Sequence, residues 1–348
     1  MMDPVELPNA EADHPKVRFG KVGILVANLG TPDGYTYWPM RRYLNEFLSD
    51  KRVVDLTDWI WQPILQLVIL TIRPSKSGEA YESIWNHAQG ESPLLTITRD
   101  QTTALREVFK EKYGDKVEVE FCMRYGNPST KSKVRELVEK GCDKIVFLPL
   151  YPQYAGATSA TACDQVFRAL MEERWQPSVR TVPAYFERES YIDALAKSVE
   201  TVYAKIEKPD ILVCSYHGVP KRYLLAGDPY HCHCQKTTRL LKERLGWADT
   251  EITTTFQSIF GREEWLKPYT VKEVARLAKE EGKKKIAVIA PAFSSDCIET
   301  LEEINEEIKE SFEEAGGEQF TYIPCLNDHP DHIAALAEAI EENLQGWV

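Results

Sequence analysis

No G-x-G-x-x-G and no G-x-x-x-x-G-K-[ST] occurs anywhere in the 348 residues, so dinucleotide and nucleotide-phosphate sites have no support. Positive charge is in deficit: 42 Lys and Arg stand against 54 Asp and Glu, a net charge of −12, which argues against a nucleic-acid footprint. No apolar run reaches the roughly 20 residues that cross a bilayer. The longest, "WIWQPILQLVILTI" at 59–72, is broken by Pro63 and two glutamines. It reads either as a buried helix or as a hydrophobic lip for a membrane surface or a flat apolar ligand. The opening "MMDPVELPNAEADHPKVRFGK" has no apolar signal core, so a cytoplasmic chain with reduced thiols is expected. The eight cysteines include no C-x₂₋₄-C pair of the kind structural zinc sites use.

What is present is written twice. "VGILVANLG" (22–30) and "DILVCSYHG" (210–218) are apolar runs of strand length that end in turn residues. Each half then has a helix, a charged Gly turn and a buried strand: "KSKVRELVEKGCDKIVFLPLYP" in the first, "TVKEVARLAKEEGKKKIAVIAPAF" in the second. Even the segments before them correspond, "FCMRYGNPS" with "FQSIFGREEW". Apolar strands alternating with helices imply parallel sheets covered on both faces. The expected fold is therefore α/β: two similar, Rossmann-like, doubly wound domains, at 21–170 (with the lip at 59–95) and 171–348. The C-terminal helix could return to the first domain. Ligands of such sheets bind beyond the carboxyl ends of the strands, which places the site in the interdomain cleft.

Four strand ends carry chemistry: "NLGTP", "LYPQYAGATSAT", "SYHGVP" and "PAFSSDCIETLEEINEE". His217 follows a buried strand, where an imidazole either bonds a neighbouring loop or serves as base or metal ligand. Asp296 suits ordinary helix capping. Glu299, Glu303 and Glu307, spaced by four, form either a solvated stripe or a path of hard oxygen ligands for a divalent cation. The stripe would be straighter if the helix were widened towards π geometry. "HCHC" at 231–234 looks like a metal site, but adjacent residues on a chain point in divergent directions.

These motifs, in this order, resemble the ferrochelatase family, which inserts Fe²⁺ into a porphyrin. The resemblance runs from about residue 21 to the C-terminus. It implies a chelatase-like pair of domains, with protoporphyrin IX and ferrous iron as the partners. It makes His217 and Glu299 the catalytic pair, acting on the metal or on the pyrrole protons. Glu303 and Glu307 match the family's acidic π-helix, a suggested metal route. Arg124 and Tyr125 of "MRYGNP" match residues on the other side of the porphyrin plane. Arg73, Lys76, Tyr81 and Ser92 match the porphyrin-carboxylate contacts, where cationic side chains suit propionates. The apolar run then reads as a lip for porphyrin admission and peripheral contact with the inner face of the cytoplasmic membrane.

Asn28 and Leu29 in "ANLGTP" follow the protoporphyrin-type enzymes; the coproporphyrin type carries "AYGTP". The alternatives are chelation of coproporphyrin III or another tetrapyrrole, and a tetrapyrrole-binding protein without catalysis. Some relatives hold a [2Fe–2S] cluster, which needs four thiolates or near equivalents. The animal arrangement is absent, since Gly156 stands at its "YPQY" cysteine. Cys232 and Cys234, with others such as Cys214 or Cys325, are the candidate ligands of a different cluster.

Overall fold

The computed structural model of the chain describes residues 19–261 and 263–348. Most of the N-terminal stretch without a signal core (1–18), and Arg262 of the "FQSIFGREEW" motif, lie outside the described residues.

The first half runs β1 (Lys21–Thr31), α1 (Tyr37–Leu48), α2 (Asp58–Ile64), α3 (Leu70–Ser83), α4 (Pro93–Tyr113), β2 (Val117–Gly126), α5 (Thr130–Glu139), β3 (Cys142–Pro149), α6 (Thr161–Met171) and β4 (Ser178–Thr181). The second half runs α7 (Glu189–Tyr203), β5 (Ile211–His217), α8 (Lys221–Leu225), α9 (Tyr230–Leu245), β6 (Ile252–Gln257), α10 (Thr270–Lys279) and β7 (Lys285–Ile289). A π-helix (Glu299–Ile308), α11 (Lys309–Glu314), β8 (Gln319–Ile323) and α12 (Pro330–Leu344) complete it.

The strands form two parallel four-stranded sheets, ordered β2-β1-β3-β4 and β6-β5-β7-β8. The two orders are the same once four is subtracted from each label of the second, which is the duplication read from the sequence. The chain reverses direction across each sheet between its first and third strands, so the ligand crevices lie beyond β1/β3 and β5/β7. β4 pairs with β3 in the first sheet although it follows residue 170, so a division by sheets falls after Thr181. Its four residues are short and partly exposed, which gave no apolar run to read.

One apolar core joins the halves. Ile24 and Val26 of β1, Leu212 and Cys214 of β5, and the inner faces of α7 and α12 belong to the same buried cluster. α12 also reaches the first sheet, where Arg180 of β4 donates to the carbonyls of Asn343 and Gln345 at 2.8 and 2.9 Å.

The 59–72 run is buried along one side and exposed along the other. Leu65 and Leu70 are fully buried in a cluster with Met40, Tyr43 and Tyr81. Trp59, Leu67 and Ile72 are 76, 75 and 68% exposed on the outer side. Among the described residues no helix is long and apolar enough to cross a membrane.

β1 and β2 come unusually close at the end that faces the cleft. Gly30 has φ of 112°, and a Cβ there would stand 1.8 Å from the carbonyl oxygen of Tyr125. Any side chain must push the strands apart. Gly30→Ala is expected to destabilise the chain by about 3 kcal/mol or more, read from urea unfolding midpoints. A loss below about 1 kcal/mol would show that the two strands separate easily there.

Candidate active site

His217 is the last residue of β5 and pairs across the ladder with Gln257, the last residue of β6. Its Nδ1 lies 2.6 Å from the carbonyl oxygen of Gly218. A carbonyl can only accept, so Nδ1 carries the proton and the Nε2 lone pair is left free. Gly218 is required by crowding: a Cβ would meet the Gln257 carbonyl oxygen at 2.6 Å.

β7 leads through Pro291–Cys297 into the π-helix, whose first residue is Glu299. This loop is stitched to the first domain. Gln101 donates to the Ser294 carbonyl at 2.9 Å, and the Ser295 hydroxyl donates to Gln101 Oε1 at 3.1 Å. Asn28, at the end of β1, donates to Thr98 at 2.9 Å and to Ser295 at 3.4 Å. Asp296 makes no hydrogen bond to the helix's first amides, so it is not the ordinary cap expected from the sequence. It is buried and accepts from Thr300 Oγ1 at 3.0 Å, Tyr322 OH at 2.5 Å and Asn327 Nδ2 at 2.7 Å.

Gln257 and Ser258, which no motif argument singled out, link the two chemical elements. The Gln257 side chain is buried, accepts from Ser215 at 2.6 Å and donates to the Glu299 carbonyl at 2.7 Å. Glu303 accepts from Gln257 Nε2 at 3.1 Å, from the Ser258 amide at 2.6 Å and from its hydroxyl at 2.5 Å. Glu307 is exposed further along the helix.

The other expected residues scatter around this centre. Tyr81 is buried beside Glu299, and burial, then that carboxylate's charge, raise its phenol well above the ordinary range. Arg73 and Lys76 are exposed on α3, with the Arg73 guanidinium 6.0 Å from the ring centroid of Phe260. Ser92 caps α4, accepting from the Leu95 amide at 3.3 Å, and is 1% exposed. A buried cap has little access to a substrate carboxylate in this conformation.

Arg124 and Tyr125 are bound to a residue the sequence did not flag. Asp50 pairs with Arg124 and accepts from Tyr125 OH at 2.7 Å, while Thr161 and the Arg52 amide also donate to it. Burial alone would raise the Asp50 carboxyl, but these donors and the Arg124 charge bring it below the ordinary range. A cavity of about 980 Å³ opens here, lined by Asp50, Arg52, Arg124, Tyr154, Gly156 and Asp228 among others, with neither His217 nor Glu299 in its wall. His217 and Glu299 lie outside it, and Ile298, next to Glu299, packs against the cluster of Met40, Leu65 and Tyr81.

Cys232 and Cys234 sit two apart on α9, which turns their side chains about 200° from each other. Cys232 is exposed and Cys234 buried. Among the described residues no group of three or more His, Cys, Asp and Glu side chains is placed to hold a metal ion. At Gly156 the amide donates to Asp228 at 2.7 Å, and a Cβ would stand 3.3 Å from that same oxygen.

The sequence profile of the ferrochelatase family matches residues 21–344, and with them both sheets, His217 and the acidic helix. The chain belongs to the ferrochelatase family. It is 65% identical over 344 residues to a ferrochelatase of Rhodobacter capsulatus, covering 98% of each chain. It is 55% identical over 338 residues to one of Rhizobium johnstonii, covering 97% of each. Among solved structures it resembles SirB from Bacillus subtilis with Fe³⁺, at a TM-score of 0.54 and 13% identity over 93% of this chain and 96% of that one. That likeness concerns the fold alone. As a family member the chain is an enzyme, a lyase of the ferrochelatase type.

The family's acidic helix is indeed widened: Glu299–Ile308 is π-helical over ten residues. In that geometry the backbone bonds span five residues and the spaced-by-four stripe stays close to one face. Glu302 lies off that stripe, within reach of the same charges. Its carboxyl is pushed up to about 7, by burial first and then by the charges of Glu307, Glu306, Glu303 and Glu299. Between its ordinary 4.5 and about 7 the folded chain holds the extra proton, so stability falls as pH rises through that window. Glu302→Gln should therefore match wild type in Tm near the low end and exceed it increasingly towards pH 8. A difference that does not change with pH would mean that Glu302 titrates as an ordinary surface carboxylate.

Proposed function

We propose that the chain inserts Fe²⁺ into protoporphyrin IX, giving protohaem and two protons. The observation that carries this reading is the free Nε2 of His217, fixed at the end of β5 and coupled through Gln257 to the start of the acidic helix at Glu299. Insertion must remove two pyrrole protons and expose nitrogen lone pairs that a flat macrocycle hides. A neutral imidazole with an unshared ring-nitrogen lone pair can take such protons. Glu299, at the helix end nearest His217, would share the central work. Glu307 and Glu302 lie further along the same helix, and carboxylates there suit a hydrated Fe²⁺ that must lose water stepwise without being trapped. Glu303, which the resemblance places on that route, is already bonded to three donors.

Arg73 and Lys76 are the proposed propionate partners, being exposed at the cleft edge with no carboxylate bound to either among the described residues. Bending the macrocycle costs on the order of 1–5 kcal/mol, which remote binding can offset. The outward Trp59, Leu67 and Ile72 fit a peripheral contact with the inner face of the cytoplasmic membrane, and the cytoplasm is the proposed setting. A [2Fe–2S] cluster on Cys232 and Cys234 is not supported, because the two thiols diverge and the Gly156 position is taken up by the bond to Asp228. No step is routed through one.

Two measurements test the reading. Arg73→Ala and Lys76→Ala should each raise the KM for protoporphyrin by roughly tenfold, the loss of about 1.4 kcal/mol of charge-assisted bonding. Unchanged values in both would remove these residues from the site.

The second separates base from metal route. His217→Ala should abolish insertion at every Fe²⁺ concentration while porphyrin still binds. Glu307→Gln should raise the KM for Fe²⁺ and spare most of kcat. Both need anaerobic Fe²⁺ titrations followed by porphyrin absorbance, run on protoporphyrin and coproporphyrin in parallel. Rescue of His217→Ala by excess iron would show that the imidazole only gathers metal, and turnover of coproporphyrin alone would move the substrate assignment.

A further inference from the structure

Three observations converge on the turn after β6. Ser258 is a non-glycine residue with φ of 60°, a left-handed conformation that costs energy unless its surroundings hold it. That conformation aims both its amide and its hydroxyl at Glu303. Gln257 adds a third donor to the same carboxylate and a further bond to the Glu299 carbonyl. A carboxylate offers about four acceptor positions, and three of these are filled by fixed protein donors.

Such a carboxylate is poorly suited to pass metal along, because each ion would have to displace bonds that also hold the backbone turn. It is well suited to hold the π-helix in place. The path from one chemical group to the other is short: His217 pairs with Gln257 across the β5–β6 ladder, Gln257 bonds the Glu299 carbonyl, and Gln257 and Ser258 both hold Glu303 one helical turn further on.

We propose that Gln257, Ser258 and Glu303 form a clamp that sets the position of Glu299 relative to His217, and that Glu303 is a positioning residue and not a carrier of iron. The proposal deepens the reading of this cleft as a chelatase site and rests on it for its kinetic consequences. Its mechanical content, that the turn and the helix are tied through one carboxylate, does not depend on the substrate.

The test is a double-mutant cycle of Glu303→Gln and Ser258→Ala on the full chain. Glu303→Gln turns an acceptor towards the Gln257 amide into a donor, and Ser258→Ala removes one donor but keeps the backbone amide. A misplacement of about 1 Å can cost a hundredfold, so kcat should fall roughly 10- to 100-fold in Glu303→Gln. It should fall in the same direction, but less, in Ser258→Ala. In both variants the KM for Fe²⁺ should stay within about twofold of wild type, as removal of transition-state geometry alone requires. The double variant should be no slower than Glu303→Gln, because both changes break the same tie.

Porphyrin titration by fluorescence shows that the variants fold, and Tm supplies a readout independent of activity. Each single change should lower Tm, and the double should lie no lower than Glu303→Gln. A raised KM for Fe²⁺ with kcat preserved in Glu303→Gln would make Glu303 a metal carrier and overturn the proposal. Additive Tm losses would overturn the clamp as well. A wild-type protein that forms no protohaem would overturn the functional reading instead, with the Tm cycle still deciding whether the clamp exists.

Discussion

A small buried polar stitch between the two halves fixes the orientation of everything else. Asn28 and Gln101 of the first half bond Ser294 and Ser295 of the second, and all four side chains are almost completely buried. Each such bond contributes only about 1 kcal/mol net, but a buried partner left unpaired costs about 1–3 kcal/mol. The stitch therefore acts mainly by penalising every other docking of the halves. Apolar packing in the shared core is non-directional and would tolerate a slide. The polar bonds do not. Because Ser294 and Ser295 lie in the loop that leads into the π-helix, the position of Glu299 depends on β1 of the other domain as well as on its own sheet.

The duplication explains why a site forms at this place. In each sheet the crevice opens beyond the first and third strands. In the second sheet these ends supply His217 and the loop to Glu299. In the first sheet the corresponding end supplies Asn28 and Gly30, which make bonds and close contacts and have no titratable group. One copy of the repeat carries the titratable groups, and the other carries alignment.

Much of this was legible in the sequence, for physical reasons. Strand cores are continuous apolar runs, so 22–30 and 210–218 fell close to Lys21–Thr31 and Ile211–His217. His217 stood out as an imidazole at the end of a buried strand, while Glu299 was picked from its acidic stripe only by the family resemblance. β4 was not legible, since four partly exposed residues carry no pattern. Nor was Ser258, whose importance lies in a positive φ that composition does not reveal. Glu302 was missed because it lies off the spaced-by-four stripe, and only its burial among the neighbouring carboxylates sets it apart. Asp50 belongs to none of the motifs read from the sequence, and only the fold brings Arg124, Tyr125 and Thr161 to it.

The lip closes over the site through two unequal sets of contacts. On the first-domain side it is anchored by fully buried Leu65 and Leu70 in a cluster with Met40 and Tyr81. Burying such side chains is worth about 1.5–3 kcal/mol each. On the second-domain side the contacts are partly exposed: Arg222 of α8 with Asp55 and Tyr223 OH with the Val53 carbonyl at 3.3 Å hold the loop that leads into the lip, and Arg73 of the lip itself lies over Phe260. Exposed ion pairs are worth about 0–1 kcal/mol and weaken with salt. A flat ligand entering the cleft therefore meets its least resistance at the second-domain edge. That is also the edge where Gln257 and Ser258 bond Glu299 and Glu303, so the lip can yield there without breaking the bonds that tie β6 to the acidic helix.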